Sequence, residues 1–169
     1  MSQKYTSAAT SINASKLPRV YSTAQFAPGE IVFDYGCGKY IDHIRAALPE
    51  GVVYLPYDPY NQPREINESS ERRLHHALRR GKPVTVVCSN VLNVIDSNDT
   101  VACIAMDLEM IAADNNGGRL LVTVYEGDKS GKGRETMPDC YQRNERTREY
   151  LPYFNENARI HRGIITAQY

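Results

Sequence analysis

The segment Ile31 to Lys39, I-V-F-D-Y-G-C-G-K, restricts the possible folds of this chain more than any other. Apolar and aromatic residues lead into Asp34, glycines stand at 36 and 38, and an amphipathic segment, Tyr40 to Leu48, begins at once. That order predicts strand, tight turn, helix. Glycine lacks a Cβ, so the backbone at Gly36 and Gly38 can adopt unusual dihedrals and lie against a ligand. The N–H groups of the new helix are then expected to point at that ligand.

A second acidic residue, Asp58, lies twenty positions past Gly38 and closes the apolar run Val52 to Tyr57. An acid at the end of the next strand is placed to accept hydrogen bonds from ribose hydroxyls, which makes a nucleoside-like cofactor the expected ligand. The dinucleotide fingerprint asks for a third glycine at position 41, where this chain has Ile41. A nicotinamide-dependent oxidoreductase is therefore the weaker reading. Gly81 and Pro83 introduce V-T-V-V-C, the continuous β-branched run of a strand buried on both faces. Ser89 and Asn90 then fall at its carboxyl end, the edge where open α/β sheets bind ligands.

With these motifs in hand, D-Y-G-C-G at 34 to 38, Y-D-P-Y-N at 57 to 61, C-S-N-V-L-N-V-I at 88 to 95 and V-Y-E-G-D at 124 to 128 resemble the class I SAM-dependent methyltransferases. They look closest to small methyltransferase-like proteins of phages and bacteria. The resemblance covers roughly residues 30 to 126. It implies an α/β, Rossmann-like three-layer sandwich with a mostly parallel sheet, in a compact variant, and S-adenosyl-L-methionine as cofactor. Cofactor contacts are expected at Asp34, Tyr35, Gly36, Cys37, Gly38, Tyr57, Asp58, Pro59, Ser89, Asn90 and Val91.

In-line transfer of a methyl group draws much of its rate from holding two reactants in register, so few acid-base groups are needed. The catalytic residues stay open, with Asn90, Tyr125, Glu126 and Asp128 as candidates. S-N-V-L lacks the prolines and aromatic of the box used to methylate exocyclic amines, and no Pro-Cys nucleophile is present. The expected activity is transfer to an O, N or S atom of a nucleic acid, protein or small molecule. The alternative is a non-catalytic SAM-binding sensor or interaction protein on the same fold. One departure stands out. Only about thirty residues separate Asp58 from Ser89, where the family usually fits another strand and helix.

The remainder supplies the frame. At 169 residues the chain suits one domain with one core. Residues 1–29, rich in Ser, Thr, Ala and Asn, read as an arm or lid, or as a disordered tail, and residues 30–169 as the SAM-binding domain. Twenty basic and twenty acidic side chains cancel, which excludes a global field towards nucleic acid or membrane. The four cysteines form no C-x-x-C pair, so reduced thiols in a cytoplasmic setting are expected, with no structural metal. No apolar run approaches membrane-spanning length.

Helices are predicted over Ser69 to Arg80 and Asn98 to Asp114, and a fourth strand over Arg119 to Tyr125. The arginines and histidines of the former are expected on the solvated outside of a crossover helix. The polar, glycine-containing stretch beyond Tyr125 is expected to open as a flexible substrate-selecting loop. A short helix over Asp139 to Tyr153 and a single edge strand over Ala158 to Tyr169 complete the expectation.

Overall fold

The structure, a computed structural model, describes residues 17–39, 41–137 and 140–169. Its core is a sheet of six strands in the order β2-β1-β3-β4-β8-β7. These are β1 (Ile31–Tyr35), β2 (Val53–Tyr57), β3 (Val84–Ser89), β4 (Arg119–Thr123), β7 (Arg159–His161) and β8 (Ile164–Gln168). The first four are parallel, β8 runs antiparallel to β4, and β7 runs antiparallel to β8. A separate two-stranded antiparallel ribbon joins β5 (Arg134–Met137) to β6 (Cys140–Gln142).

The strands alternate in which layer they serve. Phe33, Leu55, Val86, Cys88 and Val122 face one side, against Leu74 and Ala77 of α3 (Arg64–Arg79) and Val101, Ala105, Leu108 and Ala112 of α4 (Asn98–Ala113). Val32, Tyr54, Val87 and Leu121 face the other, against Val20 and Tyr21 of α1 (Arg19–Thr23) and Ile44 of α2 (Ile41–Ala47). The result is the expected three-layer, Rossmann-like α/β sandwich. Every residue of β3 is buried, as a central parallel strand requires. Helix α4 starts where Ser97 accepts a hydrogen bond from the Thr100 N–H at 3.2 Å.

Three expectations are corrected. Residues 19–23 are not a loose arm: α1 packs on the sheet, and Val20 is 0% exposed. Its apolar V-Y pair, short as it is, finds a partner surface in β3 and β4. Residues 1–16, the rest of the expected lid, lie outside the described residues. Within 139–153, β6 takes Cys140–Gln142 and the helix shrinks to α5 (Thr147–Tyr150) followed by a 3₁₀ turn over Leu151–Tyr153. Residues 158–169 form a hairpin, because Gly163, with φ +72°, reverses the chain between β7 and β8.

The short interval after Asp58 is explained by the topology. A single helix, α3, connects β2 to β3, and β2 stands at the sheet edge. Arg72, Arg73, His75, His76 and Arg79 are all exposed on that helix, and Arg80 at its C-cap, as expected of a crossover. At the amino-terminal edge of the sheet, Arg119 pairs with Glu30 at 2.6 Å, donates to the Gln25 carbonyl and lies over the Phe26 ring. This ties the segment preceding β1 to β4. Among the described residues, no helix is long and apolar enough to cross a membrane.

Candidate functional site

From β1 the chain first moves outward to β2 and then crosses back to β3 on the other side. The crevice between the carboxyl ends of β1 and β3 is thus the point where the winding reverses, the usual ligand position in such sheets. Gly36 and Gly38 turn there with φ of +75° and +70°, conformations that side chains resist.

Their surroundings differ. A Cβ on Gly36 would lie 2.2 Å from Cγ2 of Val91, so this glycine is required by the close approach of the turn after β3. A Cβ on Gly38 would meet nothing within 4 Å. Gly38 therefore opens the crevice, and Gly36 closes its inner end.

The amide groups of the turn itself are committed within the chain. Gly36 and Cys37 both donate to the Tyr57 carbonyl, at 2.7 and 3.2 Å, and Gly38 donates to Oδ2 of Asp58 at 3.0 Å. Instead of pointing at a ligand, these N–H groups join the ends of β1 and β2. Asp58, 4% exposed, accepts three further bonds. Its Oδ1 takes the Tyr60 and Asn61 N–H groups at 2.9 and 3.0 Å, and its Oδ2 also takes Nδ2 of Asn61 at 2.9 Å. Asn67, from α3, braces the turn by accepting from the Asp58 N–H and donating to its carbonyl. Gln62 Nε2 donates to the Gly38 carbonyl at 2.5 Å.

Asp58 thus uses all of its roughly four acceptor positions within the chain. Three of the donors are backbone amides fixed by the fold. The fourth, the Asn61 side chain, can rotate away, and a hydroxyl can take its place. Neither Asn61 nor Gln62 was singled out in the sequence, although Asp-Pro-Tyr-Asn is a composition that favours an Asx-type turn.

Asp34 lies beneath the turn and is not brought to the crevice. It is 1% exposed and accepts a 2.7 Å hydrogen bond from Tyr54 Oη on the α1 and α2 face. Burial raises its carboxyl to about 6 against the opposing pull of that bond. The buried Tyr21 hydroxyl sits beside the same carboxylate but outside hydrogen-bonding geometry, so its influence there is electrostatic. The Cys37 thiol, also buried, is pushed far above its ordinary range by desolvation and by the nearby Asp34 and Asp58 charges. It is an inert group rather than a nucleophile.

Across the crevice, Ser89 and Thr123 share a hydroxyl hydrogen bond of 2.7 Å, and Asn90 donates its N–H to the Thr123 carbonyl. Asn90 has φ +60°, an uncommon conformation that re-aims the chain as it leaves β3. Tyr35 and Tyr57 pair their rings at 5.6 Å, which leaves Tyr57 on the rim. Burial pushes the Tyr35 hydroxyl up to about 12. Beyond Tyr57, a cleft of about 340 Å³ is walled by Tyr57, Pro59, Gln62, Asn67 and the start of α3.

The residues expected to face an acceptor are separated by their bonding. Tyr125 is 62% exposed. Glu126 accepts from both the N–H and Oγ1 of Thr147, each at 2.8 Å, and these bonds lower its carboxyl below the usual range. Asp128 is lowered by Ser130, whose N–H it accepts at 2.9 Å. Both acids therefore hold the backbone of a segment expected to be a flexible loop.

That segment is further fixed by a polar cluster that the sequence did not reveal. Asn93 donates to Gln142 and accepts the Tyr125 N–H, while Gln142 donates to the Tyr125 carbonyl. Arg143, 6% exposed, donates to the Ile95 carbonyl, to Asn98 and to Glu145, with its guanidinium over the Tyr150 ring.

No family model matches the chain, and no curated protein matches it. Among solved structures it is similar to a release factor-specific protein-(glutamine-N5) methyltransferase from Alicyclobacillus acidocaldarius subsp. acidocaldarius. The two share 17% identity and a TM-score of 0.44, with 89% of this chain and 85% of that chain covered. At this distance the likeness adds nothing to what the strand order already establishes.

Proposed function

We propose that this protein binds S-adenosyl-L-methionine in the crevice between β1 and β3 and transfers its methyl group to an O, N or S atom of an acceptor. The observation that carries the reading is the apposition of Gly38 and Asp58 at the carboxyl ends of adjacent parallel strands, beside the point where the winding reverses. The bound cofactor supplies the activated methyl group. The open face of Gly38 admits the amino-acid portion, and Asp58 receives a ribose hydroxyl in place of the Asn61 amide. The cleft walled by Tyr57 and Pro59 suits the base. Asn90, projected from the end of β3, lies on the methionine side.

The experiment is isothermal titration with S-adenosylmethionine and its demethylated product, followed by a tritium-transfer assay on cell extract. Saturable one-to-one binding and a labelled product are expected. Binding with no labelled product favours a SAM-binding sensor on this fold, a reading supported by the shortened connection between β2 and β3. A rise in melting temperature with NAD but not with SAM contradicts both.

A further inference from the structure

A second concavity of about 390 Å³ lies along the same edge of the sheet, past β4, where the β7–β8 turn meets the segment carrying Glu126. It begins at Glu126, three residues beyond Thr123, whose carbonyl receives the Asn90 N–H, and so it lies on the same carboxyl edge of the sheet as the crevice. Lys129, Arg146 and Arg148 line it, together with Ile160 and Gly163. A fourth cation, Arg19, reaches in from α1, with Nη1 2.8 Å from the position of a Cβ on Gly163.

Three separate segments thus bring four cations to one groove in a chain of zero net charge. The groove's acid, Glu126, is turned into the protein by Thr147 and is paired with Lys129 at 3.3 Å. Arg148 is paired with Glu149, while Arg19 and Arg146 have no acidic partner among the described residues. Immediately before the groove's Glu126 comes Tyr125, an exposed ring whose backbone is clamped by Asn93 and Gln142. Guanidinium groups in a groove that starts next to an exposed aromatic residue match a phosphate backbone carrying bases that can stack. An acidic peptide would use the cations and leave the ring without a role.

The geometry points to a single-stranded nucleic acid as the acceptor, its phosphates along Arg19, Lys129, Arg146 and Arg148 and one base stacked on Tyr125 beside the methyl donor. This rests on the methyltransferase reading above, but its test does not need methyl transfer. Fluorescence anisotropy with a labelled mixed-sequence 20-nucleotide DNA or RNA should show saturable binding. For about three phosphates neutralised, the slope of log affinity against log salt is about −2.

Arg146→Glu and Arg19→Glu should each weaken binding about tenfold and flatten that slope. Tyr125→Ala should weaken oligonucleotide binding similarly while leaving polyphosphate binding unchanged. Arg79→Glu, on the exposed far end of α3, should change neither, which separates the groove from bulk charge. Circular dichroism melts of each variant check that the fold is retained. The inference is overturned by no binding at low salt, where such contacts are little screened, by indifference to Arg146→Glu in a folded variant, or by tighter binding of polyglutamate or duplex DNA. Oligonucleotide binding without SAM binding leaves the groove standing and removes the methyltransferase reading; SAM binding without oligonucleotide binding does the reverse.

Discussion

At Asp58 one carboxylate performs two tasks that compete for the same lone pairs. It holds the glycine turn to the end of β2, and in the proposed function it also receives a ribose hydroxyl. Asp58→Ala is therefore expected to cost stability as well as ligand affinity. A charge-assisted bond is worth about 1.5 to 3 kcal/mol, and the losses here are not additive, so a destabilisation on the order of 3 kcal/mol should appear in the urea midpoint. Asn61→Ala makes the opposite prediction: stability changes by less than about 1 kcal/mol, and SAM affinity is unchanged or improved because a competing donor is gone. A weakening of more than tenfold in that variant would remove the proposed exchange at Oδ2.

Asp34 makes a pH-dependent prediction. Its carboxyl is raised in the folded state, so between its unfolded value near 3.8 and about 6 the native chain binds more protons than the unfolded chain. Stability through this residue therefore rises as pH falls across that window, and the cost is fully present above it. Two pK units correspond to roughly 3 kcal/mol. Asp34→Asn, which keeps an acceptor for Tyr54, should raise stability at pH 8 and flatten the profile between pH 4 and 7, as read from denaturation midpoints. A steeper profile in the variant would contradict this.

Among elements, the glycine turn and the turn after β3 act as one unit. Gly36→Ala meets Val91 and also strains a left-handed backbone, whereas Gly38→Ala carries only the second cost, about 1 to 2 kcal/mol. The first variant should be the less stable, and Val91→Ala should recover part of its loss in a double-mutant cycle. The second should stay folded but lose cofactor affinity, because its methyl group projects into the open side of the crevice. Equal stability losses with no recovery by Val91→Ala would argue against this packing.

Helix α4 and strand β3 were legible in the sequence. The spacing of Val101, Ala105, Leu108 and Ala112 marks α4 because its apolar period matches one buried helix face. The β-branched run of β3 announces a central strand. Gln142, Arg143 and Asn144 gave no such signal. Polar residues ordinarily sit at the surface, and only the assembled fold brings Asn93, Ile95 and Asn98 to Gln142 and Arg143, and the Lys132 carbonyl to Asn144. The glycine turn and Asp58 were legible as neighbours, but not their mutual bond, since the direction of an amide depends on the register of β1 against β2. Arg143→Ala should accordingly destabilise by about 3 kcal/mol or more, a loss expected when a buried charge network is broken.

For the whole molecule, the two edges of the sheet have separate duties. The amino-terminal edge is tied by Glu30 and Arg119, while the carboxyl edge carries the crevice and the cationic groove. A doubly wound sheet can vary the second without disturbing the first, since loops on a rigid scaffold tolerate change. The placement of β2 at the edge follows from the absence of a strand between it and β3, and it leaves the cleft beside Tyr57 open on the sheet's flank. In the proposed function a nucleoside sulfonium displaces the Asn61 amide from Asp58 as it settles over Gly38. NMR titration with S-adenosyl-L-methionine measures that event directly. Saturable shifts of the Gly38 backbone amide and the Asn61 side-chain NH₂ are predicted, whereas unmoved resonances at millimolar ligand would contradict it.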